Sequence, residues 1–366
     1  MTGYKSLGVK PIINAFATLT RLGGSLMPPE VVQAMQEASK CFIDLDELQI
    51  KVGKRIATLT HNEAAYVSSG AAAGLTLATA VCVVGNDATK RNVFPDLREL
   101  KNEIIVQRLH RNGYDYAVRQ VGVKLIEIGT EHGTQRDDLL GAINMKTAAI
   151  FWFQGAMNQP SELPFQEVIA IAKTKNIPVI VDAAAQLPPV SNLWNFTKMG
   201  AALAIFSGGK ELCGPQSSGL VLGRADLIEA VRLHASPNQG IGRPMKVGKE
   251  EMIGLLAALE RYLTLDHEAR AQKFEDIVLF WNKGLSGLDG VVACRDFPNE
   301  AGQPAPRTYV KFSDRFSRDV IIKQLLAGEP AIAVAPADDN GIYLNPMTLQ
   351  DGEERVVLEK LLEILG

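Results

Sequence analysis

Between residues 64 and 223, short apolar runs rich in β-branched and aromatic residues alternate with segments patterned for helix, and nothing else in the chain constrains its fold as strongly. The strand candidates are Ala64–Val67, Glu103–Val106, Lys124–Ile128, Ala148–Phe153, Val179–Val181 and Leu203–Phe206, with Gly219–Gly223 closing the region. Gly70–Val83, Asp137–Asn144 and Phe165–Lys175 read as helices between them. Strands separated by helices at this spacing predict an α/β domain, a mostly parallel sheet flanked by helices on both faces.

The rest of the chain is arranged around that region. The first 28 residues contain Pro11, Gly23, Gly24 and Pro28 and no helical period, which predicts an extended arm. Two helices are expected from Pro29 to about Leu59. After a Gly/Pro-rich loop at Ser236–Gly248 come helices at Lys249–Leu263 and Ala269–Leu285. Strands at Arg307–Phe312 and Gly341–Leu344 then mix with helices at Arg318–Leu326 and Glu353–Ile364, a small α+β pattern. The expected division is an arm (1–28), a large domain (29–248), and a linking helix with a small C-terminal domain (249–366). A length of 366 residues fits about two domains.

Composition excludes several function classes. Hydrophobic residues at 46% and charged residues at 22% exclude wholesale disorder. With 38 basic against 41 acidic residues, and no Lys/Arg cluster, nucleic acid is not an expected partner. Cys41, Cys82, Cys213 and Cys294 are too scattered for a disulfide framework or zinc site, so no metal is expected. The N-terminus lacks a signal-peptide pattern, and the longest apolar stretch, Ala71–Val84, falls short of the ~20 residues of a membrane span. These features predict a cytoplasmic protein with no membrane partner.

Two strand ends carry the chemistry. Val179-Ile180-Val181 runs directly into Asp182-Ala183-Ala184-Ala185-Gln186, and Ala204-Ile205-Phe206 runs into Ser207-Gly208-Gly209-Lys210. Ligands of open α/β sheets sit outside the carboxyl ends of the strands, where Asp182 and Lys210 would both lie. Upstream, Ser69-Gly70-Ala71 opens a helix after a strand, an arrangement that leaves N–H groups and a positive dipole end for a phosphate. A lysine for a Schiff base, an acid to keep a ring nitrogen protonated and a phosphate cradle are what pyridoxal phosphate requires. Ala184 could pack on the ring, Gln186 could bond its oxygen and Ser207 its phosphate. Taken singly, each has a plain alternative: a strand-end Asp as a cap, a lysine after a turn as a solvated charge, a small-residue helix start as close packing. Neither G-x-G-x-x-G nor a P-loop motif is present to favour a nucleotide.

These segments resemble fold-type I pyridoxal phosphate enzymes, specifically the group of selenocysteine synthase and D-glucosaminate-6-phosphate ammonia-lyase. The resemblance runs through Ile13-Asn14-Ala15, Thr20–Ser25, Ser69–Ala73, Glu127–Thr130, Val181-Asp182, Ser207–Lys210 with Gly214-Pro215-Gln216, and Gly242–Lys249. It implies the aspartate aminotransferase-type fold with a small α+β C-terminal domain, and active sites in a homodimer or higher homo-oligomer. It also suggests His110, after the 103–106 strand, as the group stacked on the ring, although a lone histidine is more often a surface or capping residue. Substrate-binding candidates are Arg307, as a carboxylate clamp, Thr20 and Arg21 in the arm, and Arg243 and Lys246, which could instead be solvated loop residues. Cys213, three residues past Lys210, has no base beside it and reads as a structural thiol.

Two departures favour the small-molecule branch over a tRNA substrate. The arm begins almost at once, without a preceding RNA-binding domain, and Gly209 stands before the lysine where selenocysteine synthases usually have Asp. The expected reaction is elimination of water and ammonia from a 2-amino-3-hydroxy acid, such as an amino sugar acid phosphate, to give a 2-keto acid. The alternatives are selenium transfer on seryl-tRNA, a racemase or aldolase acting on an amino acid, and a scaffold without the cofactor.

Overall fold

A computed structural model of the chain describes residues 3–155, 160–337 and 340–366. In chain order the elements are β1 (Ile12–Ala15), α1 (Pro29–Ala38), α2 (Leu45–Leu59), β2 (Ala64–Ser68), α3 (Ala71–Val84), β3 (Glu103–Gln107), α4 (Tyr116–Arg119), β4 (Lys124–Ile128), α5 (Arg136–Ala142) and β5 (Thr147–Phe153). They continue with α6 (Phe165–Thr174), β6 (Val179–Asp182), α7 (Asn192–Met199), β7 (Leu203–Ser207), β8 (Gly219–Gly223), α8 (Ala225–His234), α9 (Lys249–Thr264) and α10 (His267–Leu285). The remainder is β9 (Val291–Asp296), β10 (Arg307–Phe312), α11 (Arg318–Ala327), β11 (Ala331–Ala337), β12 (Gly341–Leu344) and α12 (Glu353–Leu365).

The chain divides into two compact units, one spanning Met27–Thr264 and the other joining the N-terminal segment up to Leu26 with Leu265–Gly366. This differs from the sequence expectation at both ends. The helix expected to link the domains, α9, belongs to the larger unit because it packs along α1 and α2, burying Met252, Leu255, Ala258 and Leu259. The arm belongs to the smaller unit because β1 pairs in parallel with β11, from Ile12 opposite Ala331 to Ala15 opposite Val334.

In the larger unit the sheet runs β2-β8-β7-β6-β5-β3-β4. The pairs from β7 to β4 are parallel, while β8 is antiparallel to both β7 and β2. All seven residues of β5 (Thr-Ala-Ala-Ile-Phe-Trp-Phe) are buried, as expected of a central strand covered on both faces. Helix α3 is apolar around its circumference and almost wholly buried, so it lies inside the unit rather than on its surface. The edge strand β2 is closed by a side chain: Gln49 of α2 donates Nε2–H to the Val67 carbonyl at 2.7 Å and accepts the Val67 N–H at 3.1 Å.

Close packing sets where α3 begins. A Cβ on Gly74 would come within 3.0 Å of Ile205 and Val221 side chains, so the first turn of α3 crosses directly over β7 and β8. Gly219, at the start of β8, pairs with Ser68 on one side and Ser207 on the other. A Cβ there would lie 2.6 Å from the Gly70 carbonyl carbon and 2.8 Å from the Ala71 nitrogen. Glycine at 219 thus lets the start of α3 rest on the strand ends.

In the smaller unit the sheet order is β1-β11-β12-β10-β9. Strands β9 and β11 were not anticipated: β11 reads Ala-Ile-Ala-Val-Ala-Pro-Ala, and its alanine and proline content hides the strand signal. Trp281 of α10 is fully buried beside Ile332, Val334, Ile342 and Leu361, and its indole N–H donates to the Glu354 carbonyl at 2.8 Å. Among the described residues, no helix is long and apolar enough to cross a membrane.

Gly219→Ala should lower the stability of the cofactor-free protein by about 1–3 kcal/mol in urea titrations, the usual cost of overpacking.

Candidate active site

The carboxyl ends of β5, β6 and β7 and the start of α3 meet on one edge of the larger unit. Asp182 is the last residue of β6, paired with Phe153 of β5 on one side and Ile205 of β7 on the other. Its carboxylate is buried and accepts one backbone hydrogen bond, from Ala184 N–H at 3.0 Å. Burial pushes the Asp182 carboxyl above its ordinary range, opposed by the Ala184 hydrogen bond and the positive charge of Lys210. A carboxyl group held in this way lacks a full cationic partner, and the protonated nitrogen of an aromatic ring would supply one.

Lys210 is half-buried in the turn that leaves β7. Gly208 N–H donates to the Ser218 carbonyl at 2.8 Å, Gly214 N–H to the Gly208 carbonyl at 2.9 Å and Cys213 N–H to the Lys210 carbonyl at 2.9 Å. These bonds fold the segment back onto the start of β8, which fixes the lysine backbone at the strand ends. Cys213 adopts φ of 56°, and its thiol points to the Glu211 carbonyl at 3.6 Å.

Beside them, Gly70 caps α3 with φ of 110° and no side chain caps the helix. The N–H groups of the first turn have no intrahelical partners, and the turn carries no acidic residue. That end is open to an anion. Ser207 and Ala184 are both half-buried and joined backbone to backbone, Ser207 N–H to the Ala184 carbonyl at 3.4 Å. Gln186 is buried, with its Nε2 donating to the Gln154 carbonyl at 3.2 Å.

The structure thus brings together Ser69, Gly70, Ala71, Asp182, Ala184, Gln186, Ser207 and Lys210. His110 is placed differently from the expectation that it covers the cofactor ring. It has no accessible surface, meets Trp152 edge-to-face at 4.5 Å, and its Nε2 lies 2.9 Å from Glu162 Oε2. Gln107 holds Glu162 there by bonding both backbone groups of the next residue, Leu163. Burial lowers the His110 pKa, and the Glu162 carboxylate only partly offsets this.

The substrate-binding candidates are spread out. Thr20 and Arg21 are exposed on a single turn of the smaller unit. Arg243 is half-buried in the loop after α8, and Lys246 lines a cavity of about 40 Å³ with Asp46, Tyr66, Arg232 and Ser236, space for a few waters. Arg307 is not a free carboxylate clamp. Its guanidinium donates to Asp296 at 2.6 Å and Glu300 at 3.2 Å and lies 3.5 Å from the Tyr343 ring centroid. Two carboxylates already neutralise it, which the sequence could not reveal because Asp296 and Glu300 reach it through strand pairing and a loop.

Sequence reasoning missed Gln154. It follows β5 directly, donates its N–H to the Asp182 carbonyl at 3.0 Å and accepts the Trp152 indole N–H on Oε1 at 2.8 Å. Its signal was available as the first polar residue after the apolar Ala148–Phe153 run.

A cation-seeking carboxylate, a lysine on a fixed turn and an open helix N-terminus, set on this sheet, define a fold-type I pyridoxal phosphate enzyme, and the donor set fits that cofactor. The chain belongs to the family described as SelA: L-seryl-tRNA selenium transferase, which matches residues 12–284. A D-glucosaminate-6-phosphate ammonia lyase of Salmonella typhimurium is 32% identical over 371 residues, covering 99% of this chain and 97% of that protein. A 5'-C-glycyluridine monooxygenase-decarboxylase of a Streptomyces species is also 32% identical, covering 98% and 92%. A solved D-glucosaminate-6-phosphate ammonia-lyase superposes with a TM-score of 0.87 at 31% identity, covering 100% of this chain and 99% of that one.

The raised Asp182 pKa carries a pH signature. Folding favours the protonated acid, so the stability it contributes is complete below the unfolded value, near pH 4, and is lost as pH rises through the folded value. Cofactor-free Asp182→Asn should therefore exceed wild type in stability at pH 7, by on the order of 1 kcal/mol. The gap should close in urea titrations near pH 4.

Proposed function

We propose that the protein is a pyridoxal phosphate-dependent ammonia-lyase that converts a 2-amino-3-hydroxy acid, such as a phosphorylated amino sugar acid, into a 2-keto acid. The observation that carries this reading is the end-to-end match to a solved ammonia-lyase, at a TM-score of 0.87 and 31% identity. The two relatives at 32% identity differ in reaction, so family membership alone does not choose between them.

When bound, pyridoxal phosphate supplies an electron sink for the bond broken at C2 of the substrate. Lys210 holds the cofactor through Nζ and, once its amine is released by the substrate, takes the proton from C2. The same Nζ then carries that proton to the departing C3 hydroxyl. Asp182 holds the proton on the ring nitrogen. The N–H groups at the start of α3, with Ser207, bind the phosphate, and Ala184 and Gln186 orient the ring. Overall, the C3 hydroxyl leaves with the C2 proton as water, and water then replaces nitrogen at C2, so that a ketone and ammonia are the products. Arg243 is the candidate for a distal substrate phosphate, with Lys246, Thr20 and Arg21 as further candidates.

The four cysteines are free thiols, in keeping with a reducing cytoplasm. Phe42, Ile43 and Ile50 expose apolar surface on and next to α2, which supports assembly into a homo-oligomer. A net charge of −3 gives no support to a nucleic acid partner.

The test is release of 2-keto acid and ammonia across phosphorylated 2-amino sugar acids and simple hydroxy-amino acids. The lyase reading predicts release from at least one of them. Lys210→Ala should abolish the visible absorption band of the loaded protein and reduce turnover at least about a hundredfold. No release from any substrate, or salt-sensitive binding of seryl-tRNA, would contradict it.

A further inference from the structure

The register of the larger sheet sets three residues in one row. Val106 of β3 pairs with Phe151 of β5, and Phe153 of β5 pairs with Asp182 of β6. The position level with Phe153 and Asp182 on the third strand is therefore Arg108, the residue that follows β3. Side chains alternate between the faces of a strand, and Ile104, Val106, Phe151, Phe153 and Ile180 all share the core formed with α3. Gln107 faces the other way, its amide bonded to both backbone groups of Leu163. Its backbone is still extended, with φ of −66° and ψ of 137°, so the alternation carries through and places Arg108 on the α3 face with Asp182.

Arg108 is exposed where Ile104 and Val106 are buried, so its charge stands at the carboxyl edge of the sheet. Its guanidinium makes no hydrogen bond or ion pair with another described residue. The next arginines along the chain are committed: Arg111 pairs with Asp115 and Glu127, and Arg119 with Asp115. Neighbouring strands lie about 4.8 Å apart, which puts Arg108 about 10 Å across the sheet from Asp182. The open start of α3 lies on the opposite side of Asp182, over β7 and β8. From β8 to β3 the edge therefore presents a helix N-terminus, a carboxylate and an arginine.

We infer that Arg108 binds the carboxylate of the amino-acid substrate and is a specificity-determining residue of the site. The inference rests on pyridoxal phosphate occupying that site and deepens the reading by naming the group that selects an amino acid over a simple amine. A ligand whose phosphate meets α3 and whose cationic ring nitrogen meets Asp182 has its remaining anion toward β5 and β3. Arginine takes a carboxylate through two parallel charge-assisted hydrogen bonds. Arg307, the clamp expected from the sequence, already has its charge shared with Asp296 and Glu300.

The experiment measures binding to the cofactor-free full chain by quenching of tryptophan fluorescence. The probes are pyridoxal phosphate, both enantiomers of phosphopyridoxyl-serine, and phosphopyridoxyl-ethanolamine. In the serine and ethanolamine adducts a stable C–N single bond joins the amine to the cofactor, and the two differ only in the carboxylate. Wild type should bind at least one serine adduct roughly tenfold to a hundredfold more tightly than the ethanolamine adduct. Arg108→Met should abolish that preference while leaving the affinity for pyridoxal phosphate unchanged, and Arg108→Lys should retain part of it. A preference kept in Arg108→Met, or absent from wild type, would overturn the assignment. Failure of the cofactor reading is a separate result, because wild type would then bind no pyridoxal phosphate at all.

Discussion

The fold is organised around a carboxylate buried at the end of a central strand. Asp182 ends β6 between β5 and β7, and burial raises its pKa because one Ala184 N–H and a neighbouring ammonium do not replace full hydration. A lone buried charge costs several kcal/mol. A site that retains one is shaped for a ligand that brings a cation to it. The protonated ring nitrogen of pyridoxal phosphate meets that need, and the same ligand carries a phosphate at its other end.

The neighbouring elements complete that polarity. Helix α3 begins over β7 and β8 because Gly74 and Gly219 let backbone and side chains approach closely, and its uncapped first turn faces the strand ends. In the proposed site, the positive end of the helix and the carboxylate at the end of β6 would orient a dipolar ligand beside Lys210. The Lys210 turn is fixed by backbone bonds to itself and to Ser218, so the reactive nitrogen is carried on a rigid support. Arg307, by contrast, has its charge committed to Asp296 and Glu300.

Much of this was legible in the sequence. Parallel strands covered on both faces leave long apolar runs, and Asp182 and Lys210 stand where two such runs stop. The start of α3 was legible because Ser69-Gly70-Ala71 directly follows a strand and opens an apolar helical run. Features set by tertiary pairing were not. The position of α9 depends on α1, the arm becomes β1 only when β11 is beside it, and β11 itself hides behind alanine and proline. His110 illustrates the same limit: its place after β3 suggested a ring-facing role, but Trp152 and Glu162, distant in sequence, enclose it. Gln154 was overlooked because its significance comes from an indole two residues earlier and a carbonyl across the sheet.

The most direct measurement is the nitrogen-15 chemical shift of ring-labelled pyridoxal phosphate bound to the protein, followed from neutral to mildly alkaline pH. The account predicts a protonated ring nitrogen throughout that range in wild type, and an unprotonated one in Asp182→Asn. An unprotonated nitrogen in wild type, or the same protonated shift in both proteins, would contradict it.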